Sequence, residues 1–592
     1  MLSDVASKKK NYPRSLLLGI WQHISHIRRI QLGLLLLMMI INATTELISL
    51  GAVLPFLSVL SDPEILWQQP IIESVANSFG IDEPSHLLLP TTALFIITVV
   101  IAGVIRLINL WLIGRLSASV GSDLSCEAYM RTLYQPYEVH VNRNSSAVIN
   151  ATTTQLNRTV AAISSLLQLI TAGLVTAGLL IGLTLINWKV SFSSIFIIGS
   201  LYYGYSLIAR KKLTKNSHRI STALTQRLKA MQEGLGAIRD VLSDGLQPTF
   251  LEIYERADRP QRRLQAQNQF ISLFPRYVLE ALGIVSLALL GFILVFTQGN
   301  GNKVIPLLGA WALGAQRLLP ALQQVFFSWA SIKSFNADLY CVLEMLEQPI
   351  PSRIRKVAPM SLSTSIRLEQ VNFTYTSEDE KRTEAIKNLN LEVSVGERIG
   401  IVGSSGSGKS TLMDIMMGLL KPSSGKILVD GIDVHDTSCP MNLHCWRAAV
   451  AHVPQSIYLF DSSIAENIAF GERIETINME RVQKAAEQAQ IASFIESTKE
   501  GYKTFVGECG IRMSGGQRQR IGIARALYKR AQVMFLDEAT SALDTETEMA
   551  VIKSVDNLGK DLTIFVVAHR LSTVENCDRV ICLDNGTIID GG

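Results

Sequence analysis

Two clusters in the last third of the chain have residue types and spacings that could do chemistry. The first lies in "ERIGIVGSSGSGKSTLMDIMMGLL", where Gly403, Ser404, Ser405, Gly406, Ser407, Gly408, Lys409, Ser410 and Thr411 follow a β-rich run and open an apolar helical pattern. Glycines at this spacing let backbone N–H groups crowd around phosphate oxygens, and the helix N-terminus behind them carries partial positive charge. The pattern Gly403-x4-Gly408-Lys409-Ser410, in a strand-loop-helix setting, therefore predicts a phosphate-binding loop for ATP. Lys409 is expected at the β- and γ-phosphates and Ser410 on Mg2+. The second cluster is "QVMFLDEAT", an apolar strand ending in Asp537 and Glu538. Asp537 fits the magnesium-side carboxylate, and Glu538, one residue beyond, can polarise an attacking water as general base. Together the clusters predict hydrolysis of a nucleotide's phosphate.

A domain of alternating strands and helices must position both clusters, and the pattern from 365 onward has that character. The stretch 347–364, with Pro349, Pro351 and Pro359, reads as the linker leading into it. Upstream the chain is different. At 592 residues it is too long for one ordinary domain. It is 48% hydrophobic and only 18% charged, with mean hydropathy +0.25, more apolar than a soluble globular protein usually is. Apolar runs at 30–60, 87–116, 160–186, 190–208, 270–296 and 304–330 are each long enough to cross a bilayer core of ~30 Å at about 1.5 Å per residue. They predict an all-α domain of six transmembrane helices over 30–346, preceded by a cytosolic N-terminal segment, 1–29.

Orientation follows from the loops. The first thirty residues carry Lys8, Lys9, Lys10, Arg14, Arg28 and Arg29, whereas 61–86 has no Lys or Arg and 210–263 holds twelve. The positive-inside rule puts the N-terminus in the cytosol, and six crossings return the chain there. The polar helical stretches 119–150 and 210–269 read as cytosolic extensions of the membrane helices. The segment 61–86 reads either as a short amphipathic helix at the outer interface or as a plain loop. Seven cysteines with no CxxC pair and no zinc-type His spacing predict reduced thiols.

The stretch "IRMSGGQRQR" at 511–520 holds no side chain with evident chemistry, yet it resembles the signature motif of ATP-binding-cassette (ABC) proteins. The rest of the domain is similar to that family as well. Gln455 in "VPQSIYLFDSSIAENIAFG" resembles the Q-loop, "GECG" ending at Gly510 the exporter X-loop, and "SALD" at 541–544 the D-loop. His569 in "VVAHRLST" resembles the switch histidine, and Tyr375 in "VNFTY" the adenine-stacking aromatic. Met513 stands where leucine is usual, an apolar exchange of similar volume. Six spans followed by one cassette resemble the half-transporter layout of type IV ABC exporters, over almost the whole chain.

That resemblance implies an all-α six-helix transmembrane domain with cytosolic helix extensions, followed by an α/β P-loop ABC ATPase domain over 365–592. It implies that Gln455, Glu538 and His569 are catalytic and that Gln455 joins Ser410 and Asp537 on Mg2+. It also implies that cassettes pair head to tail, with Ser514, Gly515, Gly516 and Gln517 gripping the ATP held by the partner's phosphate loop. One cassette per chain implies a second copy or a related half-transporter, and the complete set of active residue types favours a homodimer. Coupling elements are expected near 133–146 and 242–255. In such a pair ATP binding turns the membrane cavity outward and hydrolysis resets it.

Glu46, Arg106, Arg276, Glu280 and Arg317 fall within or close to the predicted spans, where a charge costs about 2.5–3.5 kcal/mol on insertion scales. They either pair with one another, as Glu46 with Arg106 or Glu280 with a neighbouring Arg, or line a cavity for an anionic head group, where bidentate Arg suits phosphates. "TTELISLGAVLPFLSVLSDPE", "PYEVHVNRNSS", "FPRYVLEALG" and "QRLLPALQQ" are similar to the lipid-linked oligosaccharide flippases of bacterial N-glycosylation and to polysaccharide exporters. This narrower resemblance implies ATP-driven flipping of a lipid-linked or polyprenyl-pyrophosphate glycan at the inner (plasma) membrane, through a cavity lined by Glu46, Arg106, Arg276 and Arg317. Export of peptides, lipid A-like lipids or drugs is the alternative. An ATP-gated channel or regulator is a reading of another class, which a degenerate nucleotide site or an added regulatory segment would favour. Six spans exclude the soluble ABC proteins of DNA repair and translation, so no nucleic-acid partner is expected.

Overall fold

The computed structural model describes residues 16–61, 67, 83–186, 188–298, 301–350, 357–376, 382–436, 438–538, 562–567, 574–575 and 577–591. The chain divides into two compact units, Leu2–Gln135 with Arg143–Ile350, and Pro136–Asn142 with Pro351–Gly592.

The first unit is built of helices: α1 (Leu16–His23), α2 (His26–Gly51), α3 (Val53–Ser61) and α4 (Leu88–Leu133). The short α5 (Tyr137–Val141) follows α4 in the chain and belongs to the second unit. Then come α6 (Ser145–Asn150), a π-helical turn (Ala151–Gln155), α7 (Leu156–Ile186), α8 (Trp188–Gly236), α9 (Ile238–Ser243), α10 (Gln247–Gln298), α11 (Gly301–Ser334) and α12 (Asn336–Leu346). The six apolar runs lie in α2–α3, α4, α7, α8, α10 and α11. Among the described residues, His26–Leu60, Leu88–Leu133 and Ser145–Leu185 are long and apolar enough to cross a membrane. At 46, 49 and 52 residues, α4, α8 and α10 run for roughly 70–78 Å at 1.5 Å per residue, more than twice a bilayer core. The expected extensions are therefore the same helices carried on, with no separate linker.

Helix packing buries Leu35 and Met39 of α2, Ile113 and Leu124 of α4, Ala162 of α7 and Leu343 of α12 in one cluster. The opposite face of α4 leaves Leu94, Ile97, Leu107 and Trp111 exposed, an apolar stripe that suits a lipid or protein neighbour better than water. Where α7, α8 and α12 meet, the core turns polar. Gln155 Nε2 donates to Ser221 Oγ at 2.9 Å, the Ala337 N–H donates to Ser217 Oγ at 3.0 Å, and fully buried Asp338 meets Arg158 at 3.4 Å.

The second unit carries two sheets. β1 (Ser365–Thr376) and β2 (Arg382–Ser394) lead to β3 (Arg398–Gly403) and α13 (Lys409–Met416). β4 (Ser424–Val429), β5 (Ile432–Asp433), α14 (Met441–Ala449) and β6 (Val450–Val453) follow. Next are α15 (Ile464–Ile468), α16 (Met479–Gln488), α17 (Ala492–Ser497) and α18 (Gly515–Lys529). The last described strands are β7 (Val533–Asp537), β8 (Thr563–Val567), β9 (Arg579–Asp584) and β10 (Thr587–Gly591). An antiparallel sheet has the order β2-β1-β4-β5, and a six-stranded sheet the order β10-β9-β3-β8-β7-β6, parallel apart from β10. One core, with Ile399, Ile401, Leu412, Trp446, Phe535 and Phe565, lies between the sheets around α13, while a second packs α15–α18 against the other face. The central strands are buried on both faces, which is why their sequences read as unbroken apolar runs.

Candidate functional site

β3 lies between β9 and β8, and the phosphate loop leaves its C-terminal end. A Cβ on Gly403 would lie 2.2 Å from Leu583 O, and one on Gly408, the N-cap of α13 at φ +105°, 2.8 Å from Ala385 O. Both positions admit only glycine, so the loop is fixed by backbone sterics before any ligand arrives. The first N–H groups of α13 have no partners within the helix and face the loop they close. Lys409, only 7% exposed, folds over that loop and donates from Nζ to Gly403 O and Ser404 O at 2.9 Å each. Ser407 Oγ is buried with no partner, an orphaned hydroxyl inside the cradle. Tyr375, near the end of β1, packs edge-on against Phe373, and its hydroxyl is 3.3 Å from Thr411 Oγ1.

β7 pairs in parallel with β8 so that Asp537 lies opposite Val567, at the same edge of the sheet as the loop. Glu538, the next residue, has a left-handed backbone (φ +47°), and its N–H donates to Val567 O at 3.0 Å. Its carboxylate Oε2 accepts from Gln455 Nε2 at 2.7 Å, so two residues 83 apart in sequence meet directly. Asp414, one turn along α13 from Ser410, escaped the sequence reading. Burial, and then the negative charge of Asp537, push its carboxyl up to about 6. Its one signal in the sequence is the i+4 spacing from Ser410 on a helix face. His569 and the stretch 541–544 lie outside the described residues, as does nearly all of 61–86.

The signature opens α18. Ser514 is its N-cap in a capping box: Gln517 N–H donates to Ser514 Oγ at 3.3 Å, and Ser514 N–H donates to Gln517 Oε1 at 2.8 Å. Gly515 and Gly516 form the first turn, and Ser514 is exposed. Met513 is buried in the core around α15–α18, where an unbranched thioether fills the space of leucine.

In the membrane unit the charged residues do not spread evenly. Glu46, 2% exposed on α2, accepts from Arg106 of α4 and, at 3.1 Å, from Arg317 of α11, which also donates to Ser49 Oγ. Arg106 keeps 63% of its side chain exposed. The side-chain carbonyls of Asn42 and Asn109 are buried nearby in sequence, with no partner. Arg276 stands apart, exposed, with its guanidinium 6.0 Å from the Tyr277 ring. Glu280 is likewise exposed.

Residues 386–541 match the ABC transporter family, and residues 32–304 match the ABC transporter transmembrane region. The ATP-dependent lipid A-core flippase of Saccharophagus degradans is 30% identical over 504 residues, 84% of this chain and 83% of that protein. The protein of the same description from Chromohalobacter salexigens is 31% identical over 536 residues, 88% of each chain. The chain belongs to the ABC transporters. This ABC exporter has the half-transporter layout, one membrane domain and one cassette, and it couples ATP hydrolysis to transport across the membrane it spans. Its fold matches a solved bacterial Atm1-family ABC exporter with ATP bound, with a TM-score of 0.76 at 22% identity, covering 95% of both chains.

Proposed function

We propose that this exporter works as a homodimer that flips a phosphorylated, amphipathic glycolipid out of the cytosolic leaflet of a bacterial inner membrane, with its cassette in the cytosol. The carrying observation is the intramembrane cluster in which one carboxylate, Glu46, is shared by two guanidiniums, Arg106 and Arg317. The cluster keeps one positive charge in excess and leaves Arg106 largely exposed, and a phosphate is the anion that a forked guanidinium best recognises. The relatives named lipid A-core flippases favour the lipid A-like cargo over a polyprenyl-pyrophosphate glycan. Both cargoes carry phosphate next to sugar.

In the cassette, Lys409 and the loop 403–411 hold the ATP phosphates, and Tyr375 stacks on the base. The carboxylates of Asp537 and Asp414, close enough to raise the latter's proton affinity, form an acceptor set that suits a hard cation. Ser410, Gln455 and Asp537 would hold Mg2+ there, and when bound it would neutralise charge on the β- and γ-phosphates. Glu538, held at the end of β7 by its N–H bond to Val567 O, orients and deprotonates the attacking water. The hydrogen bond from Gln455 ties the Q-loop to that base, so movement of the loop also moves the catalytic carboxylate. His569 completes the set. Ser514 and the N–H groups of Gly515 and Gly516 meet the γ-phosphate held by the partner copy.

ATPase stimulation in proteoliposomes tests this reading, with lipid A-core glycolipid, a polyprenyl-pyrophosphate glycan, a neutral glycolipid and a cationic drug compared. The proposal expects stimulation by the phosphorylated glycolipids, greatest for lipid A-core, and its loss in Arg106→Ala. Stimulation by the neutral glycolipid or the drug alone would overturn it.

A further inference from the structure

The cassette holds a cavity of about 340 Å³ at the ends of β7 and β8 opposite to those that carry the catalytic carboxylates. Leu527 of α18, Met534 of β7 and Leu562, just before β8, form apolar walls. Arg481 and Lys484 of α16, and Arg530 just past α18, bring three cations to it, and among the described residues no carboxylate lines it. The volume lies at the lower end of small-ligand sites, which run from about 300 to 1,000 Å³ with apolar walls and a few polar groups.

Among the described residues, no ion pair holds these three cations. Arg481 Nη2 donates to Tyr528 O at 2.5 Å, its guanidinium lies 4.3 Å from the centre of the Tyr528 ring, and its Nε is buried without a partner. A helix C-terminus would ordinarily repel an anion. Here Arg481 covers the carbonyl of Tyr528, and the Arg530 N–H covers that of Leu527 at 3.2 Å. The charge left over lines a cavity whose walls are part polar, with Gln488 and Gln532, and part apolar, with Leu527, Met534 and Leu562. We propose that this cavity binds a small organic phosphate, with the phosphate against Arg481, Lys484 and Arg530 and a compact apolar body against Leu527, Met534 and Leu562.

The place of the cavity gives it a route to catalysis. α18 starts at the signature residue Ser514 and ends at the cavity, while β7 starts at the cavity and ends at Asp537. An occupant braces the far ends of the two elements that present the signature and a magnesium-side carboxylate, so it tunes ATP turnover without touching ATP. The site is independent of the cargo reading.

Fluorine NMR on the full chain in nanodiscs tests it with 4-fluorophenyl phosphate as probe, 4-fluorophenol and inorganic phosphate as controls, and hexyl phosphate as competitor. The expected result is saturable broadening of the aryl phosphate, weakened at least ten-fold by Lys484→Glu with Arg530→Gln and unchanged by Lys409→Ala, which disables the phosphate loop. Both rim residues are exposed, and the double variant should keep its melting temperature and basal ATPase rate. Displacement by hexyl phosphate shows that an alkyl body serves as well as an aromatic one; failure to displace restricts the site to aromatic phosphates. Absence of saturable binding, equal binding in the rim variant, or loss of binding in Lys409→Ala overturns the proposal.

Discussion

Replacing Asp338 by Asn should stabilise the protein at pH 8, with roughly half of that gain left at pH 5 and none below about 3.8. Asp338 lies in α12, beyond the last membrane-spanning run, with no exposed surface. Among the described residues its one ion-pair contact is Arg158 at 3.4 Å, and its Oδ1 has no partner. Burial raises its carboxyl from 3.8 to about 6, with the Arg158 charge opposing that rise. The direction fixes the sign. The fold prefers the protonated form, so stability is fully present below 3.8, falls as pH rises between 3.8 and about 6, and stays low above that. A rise of roughly two pH units at 1.36 kcal/mol each amounts to about 3 kcal/mol withheld at neutral pH. Asparagine imitates the protonated acid and removes that loss. Scanning fluorimetry in nanodiscs between about pH 3.5 and 8 should show the variant melting higher at pH 8, with the gap narrowing as the pH falls below about 6 and closing near 3.8. A variant that melts lower at pH 8, or a gap that does not narrow, would refute the reasoning. Cys341 gives a second readout: burial, then the charge of Asp338, push its thiol up to about 11, so it should titrate lower in the variant.

Three further outcomes follow from the sites. Ser514→Ala removes the cap on α18, worth about 1 kcal/mol, and should depress ATP turnover while leaving binding of a fluorescent ATP analogue intact. Arg317→Met leaves buried Glu46 with Arg106 alone and should destabilise the protein by about 3 kcal/mol, and adding Glu46→Gln should recover most of the loss in thermal denaturation. Glu538→Gln should lower turnover by about 10²–10⁴-fold with ATP affinity retained, because it removes the base and leaves the phosphate loop untouched.

The legible features were those in which chemistry or solvent dictates residue type. Gly403 and Gly408 are readable because a Cβ at either would strike a neighbouring carbonyl, and α4 because lipid demands an apolar surface that water does not. Pairings across long separations were harder to see. Glu46 takes one arginine 60 residues away and another 271 away, and a sequence offers the first pairing only as one option and gives no sign of the second. Asp414 looks like an ordinary polar residue on a helix until burial brings it under the charge of Asp537. The π-helical turn over "ATTTQ" between α6 and α7 has no composition of its own that marks it in the sequence. The cations of the 340 Å³ cavity are spread over some fifty residues and converge only when α16 lies along α18.

The central claim is that ATP hydrolysis by this chain moves a phosphorylated glycolipid from one leaflet to the other. The direct measurement is the accessibility of fluorescently labelled lipid A-core glycolipid to a membrane-impermeant quencher in proteoliposomes, with and without ATP, for the wild type and Lys409→Ala. The account predicts ATP-dependent transfer between leaflets in the wild type and none in the variant. ATP turnover with no change in leaflet distribution, or ionic current without turnover, would contradict it.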